Sequence, residues 1–560
     1  MKQYVSEIVN QNYQKWKGHD VVFISSPTGS GKTTFVLNEL LEYVASKKMK
    51  LLYLVNRTLL KAQIEEKISV DIMHKLRKNK SLSEEDIKDL ITVKTYQEIE
   101  ELCKRKESIS WGQGKFRYIV ADEAHYFFTD SLFNPSTEIS LNWIMDKRSG
   151  GDASIIFMSA TIGRIKDYII KKYCLQPFDS EQEGVSLVRG EEEINTQSVY
   201  HDYSCSADYS RISLKLLNTV SEIPSLIEGG GKWLIFVDDI NKGYEIQRLL
   251  KEAEIENKFI QAKVKYSEEV IDEVQGIVKN ENFTKQVLIA TSVLDNGINI
   301  KDFSLRNLII MADTFEEFMQ MLGRKRVLDE EQEMEKFINV YILQRSKEEF
   351  KRKQQMLNQK MKFIYEKSHD EETPNILKKI LENPQYHENA SCLCYTWGEK
   401  IVLSHLSVEQ CDYLYDFYDS IIKKFDVEGE SAFVKEQVQW LGYTGEEQDQ
   451  YVKKLMETIK EKICRILDTY VDKEMNKEMN LIMREELREN FIKLLKSCSE
   501  HESEEVKSLV VELKKASGVG KKNPRTIAEE KFNQIMEILK LKYKMEKPTG
   551  SIFKITKKEA

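Results

Sequence analysis

The chain has 560 residues, enough at ~100–200 residues per domain for three or four domains. Hydrophobic residues make up 41% and charged ones 31%, which excludes wholesale disorder, and only 8 prolines and 24 glycines exclude collagen-like and Pro/Gly low-complexity chains. The formal charge is −8, so a polyanionic partner must be met by local basic surface and not by the net field.

Eight cysteines are thinly spread, and Met1-Lys2-Gln3-Tyr4 lacks an apolar signal core. No apolar run reaches the roughly 18 residues that a membrane helix needs. These features predict a soluble, reduced, cytoplasmic protein with no disulfide framework and no membrane partner.

In chain order, short apolar segments alternate with helical stretches through the first third, the rhythm of a parallel sheet covered on both faces. Strands are expected at Val21–Ser25, Leu51–Val55, Ile91–Lys94, Arg117–Ala121 and Ser154–Met158. From about Phe178 to Gln197 the sequence turns polar and acidic (Glu191-Glu192-Glu193), as a linker would. A second series follows at Trp233–Val237, Phe259–Ala262, Gln286–Ala290, Asn307–Met311 and Phe337–Leu343. After Ser346 strand signals fade and helical spacing dominates, as in Tyr451, Leu455, Ile459, Ile463, Leu467 and Tyr470. Near the end, Thr526 and Glu529 have capping-box spacing, with Ala528, Phe532, Ile535 and Leu539 on one face of the helix they would start. Pro548-Thr549-Gly550 then separates Tyr543–Glu546 from Ser551–Thr556, a hairpin signal. The expected domains are 1–195, 205–345, a helical region 346–513, and a basic, winged-helix-like module 514–560.

The sharpest chemical signal is Ser26-Pro27-Thr28-Gly29-Ser30-Gly31-Lys32-Thr33, after a strand and before a helix. The glycines let backbone N–H groups close around phosphate oxygens, Lys32 supplies a charge at the β- and γ-phosphates, and Thr33 offers a hydroxyl to Mg²⁺. Ser26 stands where the strict pattern has its opening glycine. Asp122-Glu123-Ala124-His125 ends a later strand. There Asp122 can hold Mg²⁺ and Glu123 can orient and deprotonate the attacking water.

Together these motifs resemble superfamily two helicases of the DEAH-box type, in the manner of restriction and repair members. Further stretches fit the series in order over roughly residues 1–345. The resemblance implies two tandem RecA-like domains of α/β class with ATP bound between them by Thr28, Gly29, Ser30, Gly31, Lys32, Thr33 and Asp122. Asn56-Arg57-Thr58, Thr95-Tyr96-Gln97 and Thr291 match backbone-gripping motifs, which casts Arg57, Thr95 and Thr291 as nucleic-acid contacts. Ser159-Ala160-Thr161, with His125, matches the elements coupling the ATP site to the nucleic-acid track. Ala290-Thr291-Ser292 through Asp295-Asn296-Gly297-Ile298-Asn299 places Asp295 and Gly297 at ATP. Gln320-Met321-Leu322-Gly323-Arg324-Lys325-Arg326 is similar to the arginine-finger motif, with Gln320 and Arg324 catalytic. The family's second arginine falls on Val327, and Arg326 takes its place one position early.

The resemblance therefore implies an ATP- and Mg²⁺-dependent motor that moves on nucleic acid and unwinds it. DNA is favoured, because the Thr95-Tyr96-Gln97 and Gly297-Ile298-Asn299 variants look like those of restriction and repair members. The alternatives are an RNA helicase, or a nucleic-acid-stimulated switch that hydrolyses ATP without strand separation. A small-molecule kinase would not need Arg324 on a second βα domain. From Lys514 to Lys558 there are thirteen Lys/Arg against four Asp/Glu, a surplus suited to phosphates. His387, Cys392, Cys394, His405 and Cys411 cluster in sequence, but Cys-x-Cys is poor zinc spacing, and a packed core is the preferred reading.

Overall fold

The computed structural model describes residues 3–72, 89–105, 115–149, 153–178, 199–227, 230–261, 273, 276–277, 280–291, 300–326, 337–367, 391–398, 400–457, 459–496, 504–515, 526–549 and 552–557. These fall into two compact units, Met1–Gln448 and Asp449–Ala560.

The first unit opens with a seven-stranded sheet built from β1 (Val21–Ser25), β2 (Leu51–Val55), β3 (Ile91–Thr95), β4 (Tyr118–Asp122), β5 (Ser154–Ser159), β6 (Gln176–Pro177) and β7 (Val199–Ser204). Its order is β3-β2-β4-β5-β1-β7-β6, and every pairing is parallel. Successive side chains alternate between two buried faces, which is why the strands read as unbroken apolar runs. Val22, Ile24 and Tyr53 pack on one face with Trp16, Phe35 and Leu40. Val21, Phe23, Leu52 and Leu54 pack on the other with Phe127, Ile144 and Phe157.

A second all-parallel sheet follows, with β8 (Ile212–Leu217), β9 (Lys232–Phe236), β10 (Asn257–Ile260), β11 (Val287–Ala290), β12 (Leu305–Ile310) and β13 (Ile338–Leu343) in the order β10-β11-β9-β12-β13-β8. All five expected strands of each series are present, within two residues at either end. The pattern missed β6, only two exposed residues long, and also β7 and β8. The outer strand β8 and the polar β7 (Val-Tyr-His-Asp-Tyr-Ser) are only partly buried, so neither carries an apolar run. The expected linker lies almost wholly outside the described residues.

The rest of the first unit is mainly helical. Helix Lys347–Lys367 packs along helix His405–Glu428, which Ser404 caps by accepting a hydrogen bond from the Ser407 N–H. Between them lies a hairpin that the helical reading did not anticipate, β14 (Cys394–Trp397) with β15 (Lys400–Leu403).

In the second unit the apolar stripe Tyr451–Tyr470 is divided between two helices, Gly445–Met456 and Ile459–Asp468. The terminal helix Glu529–Ile538 and hairpin β17 (Tyr543–Thr549) with β18 (Ile552–Lys557) form as expected, and β16 (Glu474–Met475) adds a third strand beside β18. The capping box at Thr526 does not form. Asn480 clamps Ile527 from both sides, accepting from its N–H at 2.9 Å and donating to its carbonyl at 3.2 Å. Ala528 stays extended at ψ 149 and becomes the N-cap. The boundary expected at residue 514 falls inside one shared core, because Phe532, Ile535, Met545 and Ile555 pack with Leu467, Leu487, Phe491 and Leu509. Among the described residues no helix is long and apolar enough to cross a membrane.

Candidate active site

The glycine-containing loop leaves β1 at Ser25 and re-enters helix at Lys32. Gly29 (φ 82°) and Gly31 (φ 85°) are left-handed, a conformation that glycine takes without the usual steric cost. Ser26 N–H donates to the Ser159 carbonyl at 3.0 Å, and Ser30 Oγ donates to the Pro27 carbonyl at 2.7 Å. The buried Lys32 Nζ donates to the Ser26 carbonyl at 2.8 Å. Burial pulls the pKa of this ammonium down, against the pull of Glu123 and Asp122.

The acidic pair caps β4. Asp122 Oδ2 accepts from the Tyr53 hydroxyl at 2.7 Å, Oδ1 from the Glu123 N–H at 3.0 Å, and its carbonyl from the Tyr96 hydroxyl at 2.7 Å. Thr33 lies near the same Tyr53 hydroxyl and acts against the rise in its pKa that burial and Asp122 cause. Burial and then the adjacent Glu123 push the Asp122 carboxyl up to about 6. A divalent cation would favour the ionised form of this carboxyl. Burial raises Glu123 too, but His125, Lys32, Arg324 and Arg326 outweigh it, and its carboxyl lies below the ordinary value. Glu123 is itself left-handed at φ 51°, a local strain that turns the chain so that Ala124 N–H reaches the Met158 carbonyl at 2.9 Å. His125 Nδ1 lies 2.8 Å from Ser159 Oγ and 3.5 Å from Glu123 Oε2, and Ser159 Oγ accepts from the Thr161 N–H at 3.0 Å. The three residues expected to couple are thus in one chain of contacts.

The second domain reaches this site through helix Phe315–Leu322, which Thr314 caps. Gln320 and Arg324 are buried, and Arg324 Nε donates to the Gln320 carbonyl at 3.0 Å. Gly323 lies so close to Thr28 that a Cβ there would fall 2.5 Å from Thr28 Oγ1. Arg324 and Arg326 both act on the charge of Glu123 and Lys32. Burial and the neighbouring Arg324 lower Arg326 to about 10. The segment that carries Arg324 and Arg326 therefore meets the loop of the other domain at Thr28.

Ser26 Oγ, Thr161 Oγ1 and Gln320 Nε2 are buried in these segments without a hydrogen-bond partner. With two left-handed glycines and a buried ammonium, this donor set fits a triphosphate, and Thr33 with Asp122 fits its Mg²⁺.

The other expected contacts have partners within the protein. Arg57 pairs with Asp130 at 2.7 Å and remains partly exposed. Thr95 is the N-cap of helix Tyr96–Lys104, its hydroxyl accepting from the Glu98 N–H while Glu98 reaches back to the Thr95 N–H. Thr291 N–H bonds the Ile260 carbonyl at 3.3 Å. Asp295 and Gly297 lie outside the described residues. Sequence reasoning missed Tyr53, whose hydroxyl holds the Asp122 carboxyl, and read Tyr96 only as part of the Thr95-Tyr96-Gln97 motif. A tyrosine inside an otherwise apolar strand, as Tyr53 is, needs a partner for its hydroxyl, and that was the available signal.

Residues 1–164 match the family model of the type III restriction enzyme res subunit, and residues 215–327 match that of the helicase conserved C-terminal domain. No curated protein matches the chain. Among solved structures, Mycobacterium smegmatis helicase Lhr bound to ssDNA and AMP-PNP is similar at 11% identity and TM-score 0.36, over 59% of this chain and 44% of that one. S. cerevisiae Dbp5 bound to RNA and ADP BeF3 is similar at 15% identity and TM-score 0.39, over 71% and 89%. The DEAD-box helicase Mss116 bound to ssRNA and UDP-BeF is similar at 13% and 0.44, over 80% and 90%. The chain thus spans less than half the length of the Lhr chain. Residues 1–164 and 215–327 thus carry, in order, a type III restriction enzyme res-subunit domain and a helicase conserved C-terminal domain, the pair found in superfamily two helicases.

Proposed function

We propose that the chain is an ATP-hydrolysing motor that translocates on nucleic acid and unwinds it, with DNA preferred. The observation that carries this reading is the close approach of Gly323, next to Arg324, to Thr28 across two parallel-sheet domains, with Arg324 and Arg326 within electrostatic reach of Glu123. In this reading residues 1–195 bind ATP and residues 205–345 complete the site. Lys32 and the loop from Thr28 to Thr33 cradle the phosphates. Glu123, kept ionised by its basic neighbours, takes the proton of the attacking water. Arg324 meets charge that develops in the transition state, with Arg326 beside it and Gln320 supporting its guanidinium. Mg²⁺, held by Thr33 and Asp122, would neutralise phosphate charge. Because the arginines and the acid belong to different domains, hydrolysis requires the domains to meet, which ties turnover to domain motion.

The path from Glu123 through His125 to Ser159 and Thr161 would report the state of the site to the strand, gripped by Arg57, Thr95 and Thr291. The restriction-enzyme character of the first domain supports DNA as the track. The test is ATPase rate with single-stranded DNA, duplex DNA, RNA or no polymer, beside a strand-separation assay. Stimulation by DNA together with unwinding is expected. Stimulation without unwinding would identify a switch, and stimulation by RNA alone would overturn the DNA preference.

A further inference from the structure

Among the described residues no large apolar side chain is more exposed than Phe133, at 88%. A lone apolar side chain on a surface is common, but here the backbone beneath it is pinned on both sides. Phe133 N–H donates to the Asp130 carbonyl at 2.9 Å, and Asn134 N–H donates to the same carbonyl at 2.8 Å. On one side Ser131 is buried, its Oγ donating to the Phe128 carbonyl at 2.7 Å and its carbonyl accepting from Ser407 Oγ at 2.9 Å. On the other, Asn134 Nδ2 donates to Glu100 Oε2 at 2.8 Å and to the Tyr126 hydroxyl at 3.1 Å. Helix His405–Glu428 backs the turn, since His405 N–H also donates to Glu138 Oε2 at 2.9 Å.

The same turn holds Arg57. Asp130 Oδ2 lies 2.7 Å from Arg57 Nη2, and the guanidinium remains partly exposed. A shared phenol ties the neighbouring segments together. The Tyr126 hydroxyl accepts from Gln97 Nε2 at 3.0 Å as well as from Asn134, and Gln97 Nε2 also donates to the Asn56 carbonyl at 3.2 Å. The end of β2 that leads into Arg57, the start of helix Tyr96–Lys104 and the turn under Phe133 are therefore one hydrogen-bonded surface. It carries a guanidinium and an exposed ring, both attached to a single turn.

We propose that Phe133 is a stacking platform for a base of the nucleic-acid strand, and that the phosphate beside that base takes Arg57 from Asp130. A nucleotide joins an aromatic base to a phosphate through one sugar, and the turn pairs a ring with a guanidinium. Every base has a π face, so one ring serves any sequence, as a motor moving along a strand requires. Carboxylate and phosphate both match the guanidinium fork, so Asp130 keeps Arg57 in place until the strand arrives. Because the turn is fixed beforehand, little ordering cost is left to binding. A protein partner would need roughly 800 Å² of surface, of which one ring supplies only a small part.

This inference rests on the reading that Arg57 grips the strand, and the experiment separates the two. Binding of the full chain is measured by fluorescence anisotropy with two labelled oligomers. One is a thymidylate or uridylate strand, whichever the wild type holds more tightly, and the other is an abasic strand of the same backbone and length. Phe133→Ala is expected to weaken binding of the base-bearing strand by about five- to 150-fold, the range for loss of one stacked base, and to leave the abasic strand unchanged. Phe133→Trp should bind at least as tightly as wild type, and the base-bearing strand should quench its fluorescence beyond any change in the wild-type chain. Arg57→Ala should weaken both strands and lower the slope of log K against log salt by about 0.7, the share of one phosphate contact on a single strand. The platform is overturned if Phe133→Ala holds the base-bearing strand as the wild type does, if it loses equally on the abasic strand, or if Arg57→Ala keeps the wild-type slope. The nucleic-acid reading survives each of these, because the wild type still binds. A wild-type chain that binds neither strand would overturn that reading, and the platform with it.

Discussion

Gly323 and Thr28 meet so closely that only a residue without a side chain fits between the end of helix Phe315–Leu322 and the loop that follows β1. A Cβ at residue 323 would fall 2.5 Å from Thr28 Oγ1, 2.6 Å from Cγ2 and 3.0 Å from Cβ. Gly323→Ala must therefore push the finger away from the loop. The expected result is a fall in kcat of more than tenfold, equivalent to ~1.4 kcal/mol or more of transition-state stabilisation. Adding Thr28→Ala removes the two nearest atoms and should recover part of the loss. Full activity in Gly323→Ala would mean that the close approach is not required for turnover.

Lys32 and Glu123 should fail in different ways. Lys32→Ala removes the buried ammonium beside the loop carbonyls and should weaken ATP binding as well as abolish hydrolysis. Glu123→Gln keeps volume and leaves Asp122 with its Tyr53 partner, so binding should persist while turnover drops by two to four orders of magnitude, about the range of general-base catalysis. Nucleotide titration beside single-turnover hydrolysis distinguishes the two. Hydrolysis at the wild-type rate in Glu123→Gln would remove Glu123 from the mechanism.

Arg324 and Arg326 both influence Glu123, which makes the shifted second arginine open to test. Arg324→Ala should lower kcat by about 10³-fold or more, with little change in KM, as expected of a contact made mainly in the transition state. Arg326→Ala should show the same split with a smaller loss. If Arg326→Ala leaves kcat untouched while Arg324→Ala destroys it, a single arginine completes the site.

Much of this site was legible because its parts are contiguous in sequence. The loop from Ser26 to Thr33 and the run from Asp122 to His125 each follow a parallel strand, and such strands announce themselves as apolar runs. What stayed hidden is held together by distance in the chain. Arg164 and Gln410 are 246 residues apart, and each alone reads as an ordinary surface residue. Thr95 is the opposite case. Its place in the motif series suggested a strand contact, while its spacing to Glu98 also forms a capping box, and the described side chain makes the cap. At Thr526 the same local rule failed, because a distant side chain, Asn480, fixed the backbone first.

The anchor between His405 and Glu138 should be sensitive to pH near neutrality. The hydrogen bond to Glu138 raises the His405 pKa above its ordinary 6.5, more than burial and Lys172 lower it. A raised histidine contributes stability that is fully present below about 6.5 and is lost as pH rises through the folded value. The first turn of helix His405–Glu428 should therefore open more readily at pH 8.5 than at pH 6. Hydrogen exchange over residues 405–411 measures this directly. His405→Ala should flatten the dependence, and an equally steep profile in that variant would assign the effect to another group.

If the basic surplus of the C-terminal residues holds nucleic acid, as the sequence predicts, the packing of the second unit dictates how that must be tested. Cutting at residue 514 would strip Phe532, Met545 and Ile555 from a core they share with Leu487 and Leu509, so any loss could be mere unfolding. Ending the chain at Gln448 follows the division between the compact units instead. The loop, acidic pair and arginines all lie before that point and should keep their ATPase when polymer is saturating. What should fall is affinity and its salt dependence, because the thirteen basic residues from Lys514 to Lys558 are removed. Three of them are partly neutralised, Lys544 by Glu546, Lys554 by Asp472 and Lys557 by Asp468, which leaves fewer for phosphates. Each phosphate contact contributes about 0.9 to the slope of log K against log salt on duplex DNA, so four or five contacts would flatten it by roughly four units. Binding titrations at several salt concentrations read this directly. An unchanged slope would make the basic surplus an ordinary solvated surface and leave the whole grip on the strand to the two motor domains.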